Sequence, residues 1–267
     1  MGRMGGDMPA PGSRRKEPSL AGEGGYPARM HGIMGRMLPL LRSDSRRAGE
    51  LMNESFVLTG ADLYRLNCQS CHGPDGKGAP PEIKSLLDPV RGTSPALTTQ
   101  RMQKLGRSIS RSMANELAAQ AEKTILQRLQ EGGEKMPPFR HLQGDEVDAL
   151  LNYLKKLAGL PRSEWKVVEV PQSVARVGEH VVKGTCHTCH DATGPGAGQM
   201  MMMSSIIPSL ASFPQQESLQ NIVRQVELGS SGMMAMMGGQ TMPAFPYLTQ
   251  DEVAAAYLYL AQYPPRP

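Results

Sequence analysis

The sequence predicts an all-α protein built from two tandem copies of one small helical domain, with an extended arm ahead of them. Three observations predict this. The pattern Cys-x-x-Cys-His occurs twice, at 68–72 and 186–190, with 118 residues between equivalent positions. Matching landmarks surround both occurrences in the same order. The segments between those landmarks have apolar residues at helical spacing and end on glycine or begin on acidic residues, as helices do.

In chain order, residues 1–50 are rich in Gly, Pro, Arg and Met and read as an arm that is disordered or ordered by a partner. Its one sticky stretch is Ile33-Met34-Gly35-Arg36-Met37-Leu38-Pro39-Leu40-Leu41. The repeat then sets a first domain at 51–160, a linker at 161–174 and a second domain at 175–267. Gly60 and Gly178 each lie eight residues before a first cysteine, and open helical segments at Ala61–Leu66 and Glu179–Val182. Pro95-Ala96-Leu97 answers Pro208-Ser209-Leu210. Ile125–Gly132 answers Ile222–Gly229, each a helix stopped by glycine. Met136-Pro137-Pro138-Phe139 answers Met242-Pro243-Ala244-Phe245. Asp145-Glu146-Val147 answers Asp251-Glu252-Val253, and each starts an amphipathic helix, Asp145–Leu157 and Asp251–Gln262, with acids in the favourable first turn. Tyr153-Leu154 and Tyr259-Leu260 share one offset. In the linker, Pro161 and Pro171 flank an extended-looking run, Lys166–Val170. The first domain has 16 extra residues between Leu97 and Ile125, and the second has 9 extra before Met242.

Charge excludes some functions. The arm holds 9 Lys+Arg against 5 Asp+Glu, whereas the other 217 residues hold 20 of each. That is no basic stripe for nucleic acid. No apolar run approaches the ~20 residues of a membrane span. Residues 1–15 show no apolar secretory core. Aromatics are 4% of the chain, a thin supply for two cores, and a large apolar cofactor in each would compensate.

The two cysteine motifs carry the chemistry. On one helical turn, positions i and i+3 lie on the same face, so both thiols reach one porphyrin and the next histidine is held against its iron. The expectation is two covalently bound c-type haems, on Cys68, Cys71 and His72 and on Cys186, Cys189 and His190. Zinc, a redox dithiol or disulfides are the alternatives. Zinc ribbons place their cysteine pairs ~15–20 residues apart, and a redox dithiol does not call for the histidine. A soft thioether as sixth ligand favours ferrous iron; Met136 and Met242 are the candidates, each followed by a phenylalanine, Phe139 or Phe245, able to pack on the porphyrin. Around the second, Met200–Met203 and Met233–Met237 compete, and such loops also suit Cu(I) or a partner surface. Among the other histidines, His31, His180 and His187 are set aside and His141, five residues past Met136, is the rival ligand, otherwise read as a surface or propionate-neighbour residue. Arg101, Lys104, Arg107 and Arg111 read as a basic helix face for an acidic partner.

These residues resemble class I cytochrome c: Gly60 and Tyr64 before the motif, Gly73-Pro74-Asp75-Gly76-Lys77-Gly78 after it, then Pro95, Leu97, Met136-Pro137 and Tyr153-Leu154. The second copy is similar from Gly178 to Leu260, with a weaker post-motif loop, Asp191-Ala192-Thr193-Gly194. The resemblance implies that the carbonyls of Pro95 and Pro208 support the proximal histidines. It further implies a diheme cytochrome c in the periplasm or otherwise outside the cytoplasm. Such a protein passes single electrons between redox partners of a respiratory or photosynthetic chain, on or in a membrane electron-transport complex and without substrate chemistry of its own. A peroxidase-like diheme enzyme and a zinc-binding interaction module are the competing functions. A thiosulfate-oxidising cytochrome would need a fifth cysteine, and the chain has four.

Overall fold

The computed structural model describes residues 32, 35, 36, 50–190, 210, 213–229 and 242–263. Most of the arm, Pro208 and both methionine-rich runs lie outside these residues. The described part is mainly helical, as expected, with one departure from an all-α fold: a two-stranded antiparallel ribbon.

The ribbon pairs β1 (Ser55–Thr59) with β2 (Glu169–Ser173), from Ser55 opposite Ser173 to Thr59 opposite Glu169. In β1 the side chains alternate as a strand requires: Phe56 and Leu58 are buried and Val57 is exposed. The segment expected to be only a linker therefore carries a strand. Its apolar residues were read as extended, but the strand it pairs with lies more than 100 residues earlier, beyond the reach of local pattern.

Each strand feeds the first helix of a domain. Helix α1 (Gly60–Asn67) starts at Thr59, whose hydroxyl caps it in a box with Asp62. The motif follows at once in α2 (Gln69–His72). Helices α3 (Leu87–Arg91), α4 (Pro95–Lys104) and α5 (Arg111–Glu131) come next. Helix α6 (Gly144–Leu157), with a Gln143–Glu146 capping box, closes the first domain. Helix α7 (Val174–Gly184) opens the second. It begins five residues before the expected Glu179 because Ser173 caps it and Val174, Val177 and Val181 extend the apolar stripe. Each of these valines, fully buried, contributes about 1.5–3 kcal/mol. The short α8 (Phe213–Gln216), then α9 (Leu219–Leu228) and α10 (Gln250–Gln262), complete the described residues.

In both domains the first and last helices cross at a glycine. A Cβ on Gly60 would strike the Ala149 backbone and Tyr153 Cβ of α6. A Cβ on Gly178 would strike the Ala255 backbone and Tyr259 Cβ of α10. These crossings are the reason for a glycine eight residues before each motif, and they set Tyr153 and Tyr259 at matching places.

The two domains share a seam. Leu63 and Leu66 of α1 are fully buried in the same cluster as Val177, Val181, Val253 and Leu258. Gly184 sits against Leu66 O and Asn67 Cα, and the Thr185 hydroxyl donates to Leu66 O at 3.0 Å. The ends of α1 and α7, each leading into a cysteine motif, thus touch each other.

Candidate haem sites

Both motifs make one tight turn. In the first, His72 N donates to Cys68 O at 2.9 Å; in the second, His190 N donates to Cys186 O at 3.0 Å. The turn holds the two thiols of each motif on one side. All four cysteines are free thiols. Burial first, then the neighbouring thiolate, pushes Cys68 and Cys186 up to about 12, so these thiols stay protonated at neutral pH.

His72 is half-buried. Burial lowers its pKa, opposed by the Lys84 backbone, and Nδ1 has no hydrogen-bond partner within bonding geometry. A neutral imidazole is the form that ligates metal. The expected support from Pro95 is not formed. Pro95 opens α4, and its carbonyl accepts from the Thr99 hydroxyl at 2.9 Å. Lys84, earlier in the post-motif loop, is the backbone group that acts on His72. That loop is tightly folded: Gly78 N donates to His72 O at 2.9 Å, and the left-handed Gly78 has Ile83 O where a Cβ would stand. The Tyr64 hydroxyl ties the same loop to α1 through Gly73 O at 2.5 Å. In the second motif, the His190 ring stands edge-on to Phe213 at 5.9 Å.

The two methionine loops are folded alike. Gly132 and Gly229 end their helices with φ of +75° and +72°, a conformation that favours glycine. In both, a Cβ at that glycine would crowd the methionine carbonyl, Met136 O or Met242 O. Phe139 N donates to Leu129 O, and Phe245 N to Val226 O, each at 2.7 Å. Met136 and Phe139 pack in the apolar cluster that contains Cys68. Met242 and Phe245 pack against the other cluster, together with Cys186. Each domain therefore gathers a cysteine, buried in the first and half-buried in the second, with a half-buried methionine and a phenylalanine around one apolar body. Free paired thiols followed by a histidine, with a methionine packed nearby, are the donor set that haem c takes. Among the described residues, no three His, Cys, Asp or Glu side chains converge as ligands for a metal ion.

Two sequence expectations need correction. His141 is half-buried and not a free surface residue. Its Nε2 donates to Asn67 Oδ1 at 2.8 Å, and its ring lies 5.7 Å from the His180 ring. Burial, then the charges of His180, Arg176 and Lys183, bring it down to about 3 against a smaller opposing effect of Glu179. Nor do Arg101, Lys104, Arg107 and Arg111 share one helix face. α4 stops at Lys104, Gly106 turns the chain at φ +71°, and α5 starts at Arg111. The four cations project from an exposed helix–turn–helix corner that also exposes Leu105 and Met113.

The sequence reading missed the polar groups of the seam. Glu146 is buried, yet it accepts from Arg176, His180, Gln172 and the Gln143 N–H. Burial alone would raise it; the bonds from His180 and Arg176 outweigh burial and hold it at about 2. Tyr247, which follows Met242, lies between the motifs. Its buried hydroxyl has no partner within bonding geometry, and its titration is influenced by Thr185 and Cys186 on one side and Ser70 and Cys71 on the other. Burial is the main cause that pushes it up to about 12.

These titrations make the seam acid-labile. Folded His141 stays neutral down to about 3, so as pH falls below about 6.5 the unfolded chain binds the proton first and stability declines. Glu146 contributes fully above 4.5, and its contribution is lost as pH falls toward about 2. The unfolding free energy from urea titration is expected to fall below pH 6.5, by up to about 2 kcal/mol at pH 5, and more steeply below 4.5. A flat profile between pH 6.5 and 5 would contradict the assignment of His141.

Residues 57–158 match the family model described as cytochrome c, and residues 173–260 match the one described as cytochrome C oxidase, cbb3-type, subunit III. No curated protein and no solved structure matches the chain. The chain is a c-type cytochrome with two cytochrome c-like domains, and electron transfer is the work such domains do.

Proposed function

We propose that the chain is a diheme electron carrier. Cys68 and Cys71 would hold one haem, with His72 and Met136 offered to its iron; Cys186 and Cys189 would hold the other, with His190 and Met242. The observation that carries this reading is the identical folding of the two methionine loops, each beside its own cysteine motif. When bound, haem c supplies a one-electron iron couple.

The protein side of the mechanism follows from its own groups. The paired thiols anchor the cofactor covalently. His72, kept neutral by burial, and His190 would each offer an imidazole nitrogen to the iron, and the Met136 and Met242 thioethers would each offer a soft donor. Phe139 and the leucines around it keep water from the first site, which holds down the reorganisation that each electron transfer requires. With a histidine and a methionine committed to each haem, the chain would relay electrons and not act on a substrate of its own.

The setting is extracytoplasmic, where haem is attached to thiols, with the chain docked on or part of a membrane electron-transport complex. The match of the second domain to an oxidase-subunit model supports that setting. No helix among the described residues is long and apolar enough to cross a membrane. The corner of Arg101, Lys104, Arg107 and Arg111 suits an acidic partner, and encounter would then slow as salt screens it.

The test is haem quantitation as the pyridine haemochrome, with visible and spin-state spectra of the resting protein. Two haems per chain, low-spin, with the weak methionine–iron band at the red edge, are expected. Fewer than two haems would sink the diheme reading. High-spin resting iron that turns over peroxide would replace the carrier with a peroxidase-like enzyme.

A further inference from the structure

Each domain grips the other by an arginine, and the grips are crossed. Arg65 lies on α1, three residues before Cys68. Its Nη1 donates to Tyr247 O at 3.0 Å and to Glu252 Oε2 at 2.8 Å, and its Nη2 donates to Glu252 Oε1 at 2.6 Å. Arg176 lies on α7, in the second domain. Its Nε donates to Glu146 Oε1 at 2.8 Å, its Nη2 to Glu146 Oε2 at 2.6 Å, and its Nη2 also to His141 O.

The two targets are equivalent. His141 lies five residues past Met136, and Tyr247 five past Met242; each glutamate lies five residues further on. Each glutamate also caps the last helix of its domain, through Gln143 N or Thr249 N. The near end of each methionine loop is fixed within its own domain by the glycine turn and the phenylalanine N–H. The far end is gripped from the other domain by the arginine, and in the Met136 loop also from its own domain through His141 Nε2 and Asn67 Oδ1. The arginine side chains are only 16% and 12% exposed and the glutamates almost wholly buried, so water is a poor substitute for these bonds.

We infer that Arg65 is a positioning residue for Met242, and Arg176 for Met136: each haem's axial methionine loop is held in place by the opposite domain. The inference rests on the axial assignments proposed above. Removing the fork from Arg65 frees the far end of the Met242 loop and leaves the Met136 loop held. The sulfur then leaves the second iron more readily, while the first is unaffected. Removing the fork from Arg176 does the reverse.

The experiment uses the full-length diheme protein. The two axial-methionine methyl resonances of the reduced protein are assigned with Met136→Ala and Met242→Ala. Arg65→Gln and Arg176→Gln are then compared with wild type by those resonances and by titration with imidazole, a small ligand that displaces methionine from oxidised iron. Arg65→Gln is expected to shift the Met242 methyl alone and to raise imidazole affinity at one haem by about tenfold, equivalent to about 1.4 kcal/mol of lost positioning. Arg176→Gln is expected to do the same to Met136. Where a Gln variant fails to fold, Arg65→Lys and Arg176→Lys keep the charge and lose the fork; smaller shifts of the same crossed methyls are expected. Shifts in the variant's own domain, equal shifts in both, or no shift would overturn the crossed assignment. Absence of both methyl resonances from wild type would instead overturn the axial reading, and the inference with it.

Discussion

Gly178→Ala is expected to destabilise the protein by about 2 kcal/mol or more, although alanine is the better helix former. Alanine in a helix gains about 1 kcal/mol over glycine. Here the added methyl meets the Ala255 backbone and Tyr259 Cβ, and neither is the far end of a flexible side chain. To admit it, α7 and α10 must move apart, and Val174, Val177 and Val181 lose their close packing. Overpacking of this kind costs about 1–3 kcal/mol, occasionally more, and a backbone collision belongs at the upper end. Urea unfolding followed by far-UV circular dichroism measures it. Gly144→Ala is the control, since its Cβ meets nothing within 4 Å; it should be neutral or slightly stabilising. Equal effects at the two sites would show that the crossing is looser than described.

The second large effect belongs to Glu146. Replacing it with alanine leaves Arg176 and His180 facing a buried void and strips the capping box from α6. Breaking a buried pair by removing one partner costs about 3–5 kcal/mol. Glu54→Ala serves as comparison. Glu54 pairs with Arg36 at 2.5 Å, but the two side chains are 37% and 50% exposed, and surface pairs of this kind are worth about 0–1 kcal/mol. The double variant Glu146→Ala, Arg176→Met should recover part of the loss, because the stranded cation goes with it. A double variant no more stable than Glu146→Ala would show that the carboxylate acts mainly as a helix cap.

What could be read from sequence follows from range. The cysteine motifs, the glycine stops and the methionine loops are local patterns, and duplication doubled the evidence for each. The crossing helices were legible as Gly60 and Gly178, though the reason for glycine needed Ala149 and Ala255 opposite. The supporting backbone at His72 was assigned to Pro95 by resemblance, whereas here the Pro95 carbonyl takes the Thr99 hydroxyl and the Lys84 backbone is what raises the imidazole pKa against the burial that lowers it. His141 looked like a surface residue because its partners, Asn67, His180 and Arg176, are distant in the chain. Glu146 and Glu252 were placed correctly in the first turn of a helix, but nothing local marks them as anions for Arg176 and Arg65. The Arg65–Glu252 pair spans 187 residues, and only the tertiary fold brings it together. The four-cation corner misled because spacing of three or four residues persists across a turn that Gly106 makes.

The placement of Leu63 and Leu66 of α1 bears on how such a duplicated chain can change. These leucines belong to the first copy by sequence and to the second copy's interior by position. A substitution at either is felt at once by both domains, and a compensating change has to arise in the other half of the chain. Duplicates usually gain the freedom to diverge; this pair has partly surrendered it, keeping divergence for the outer loops and holding the shared face to joint inheritance.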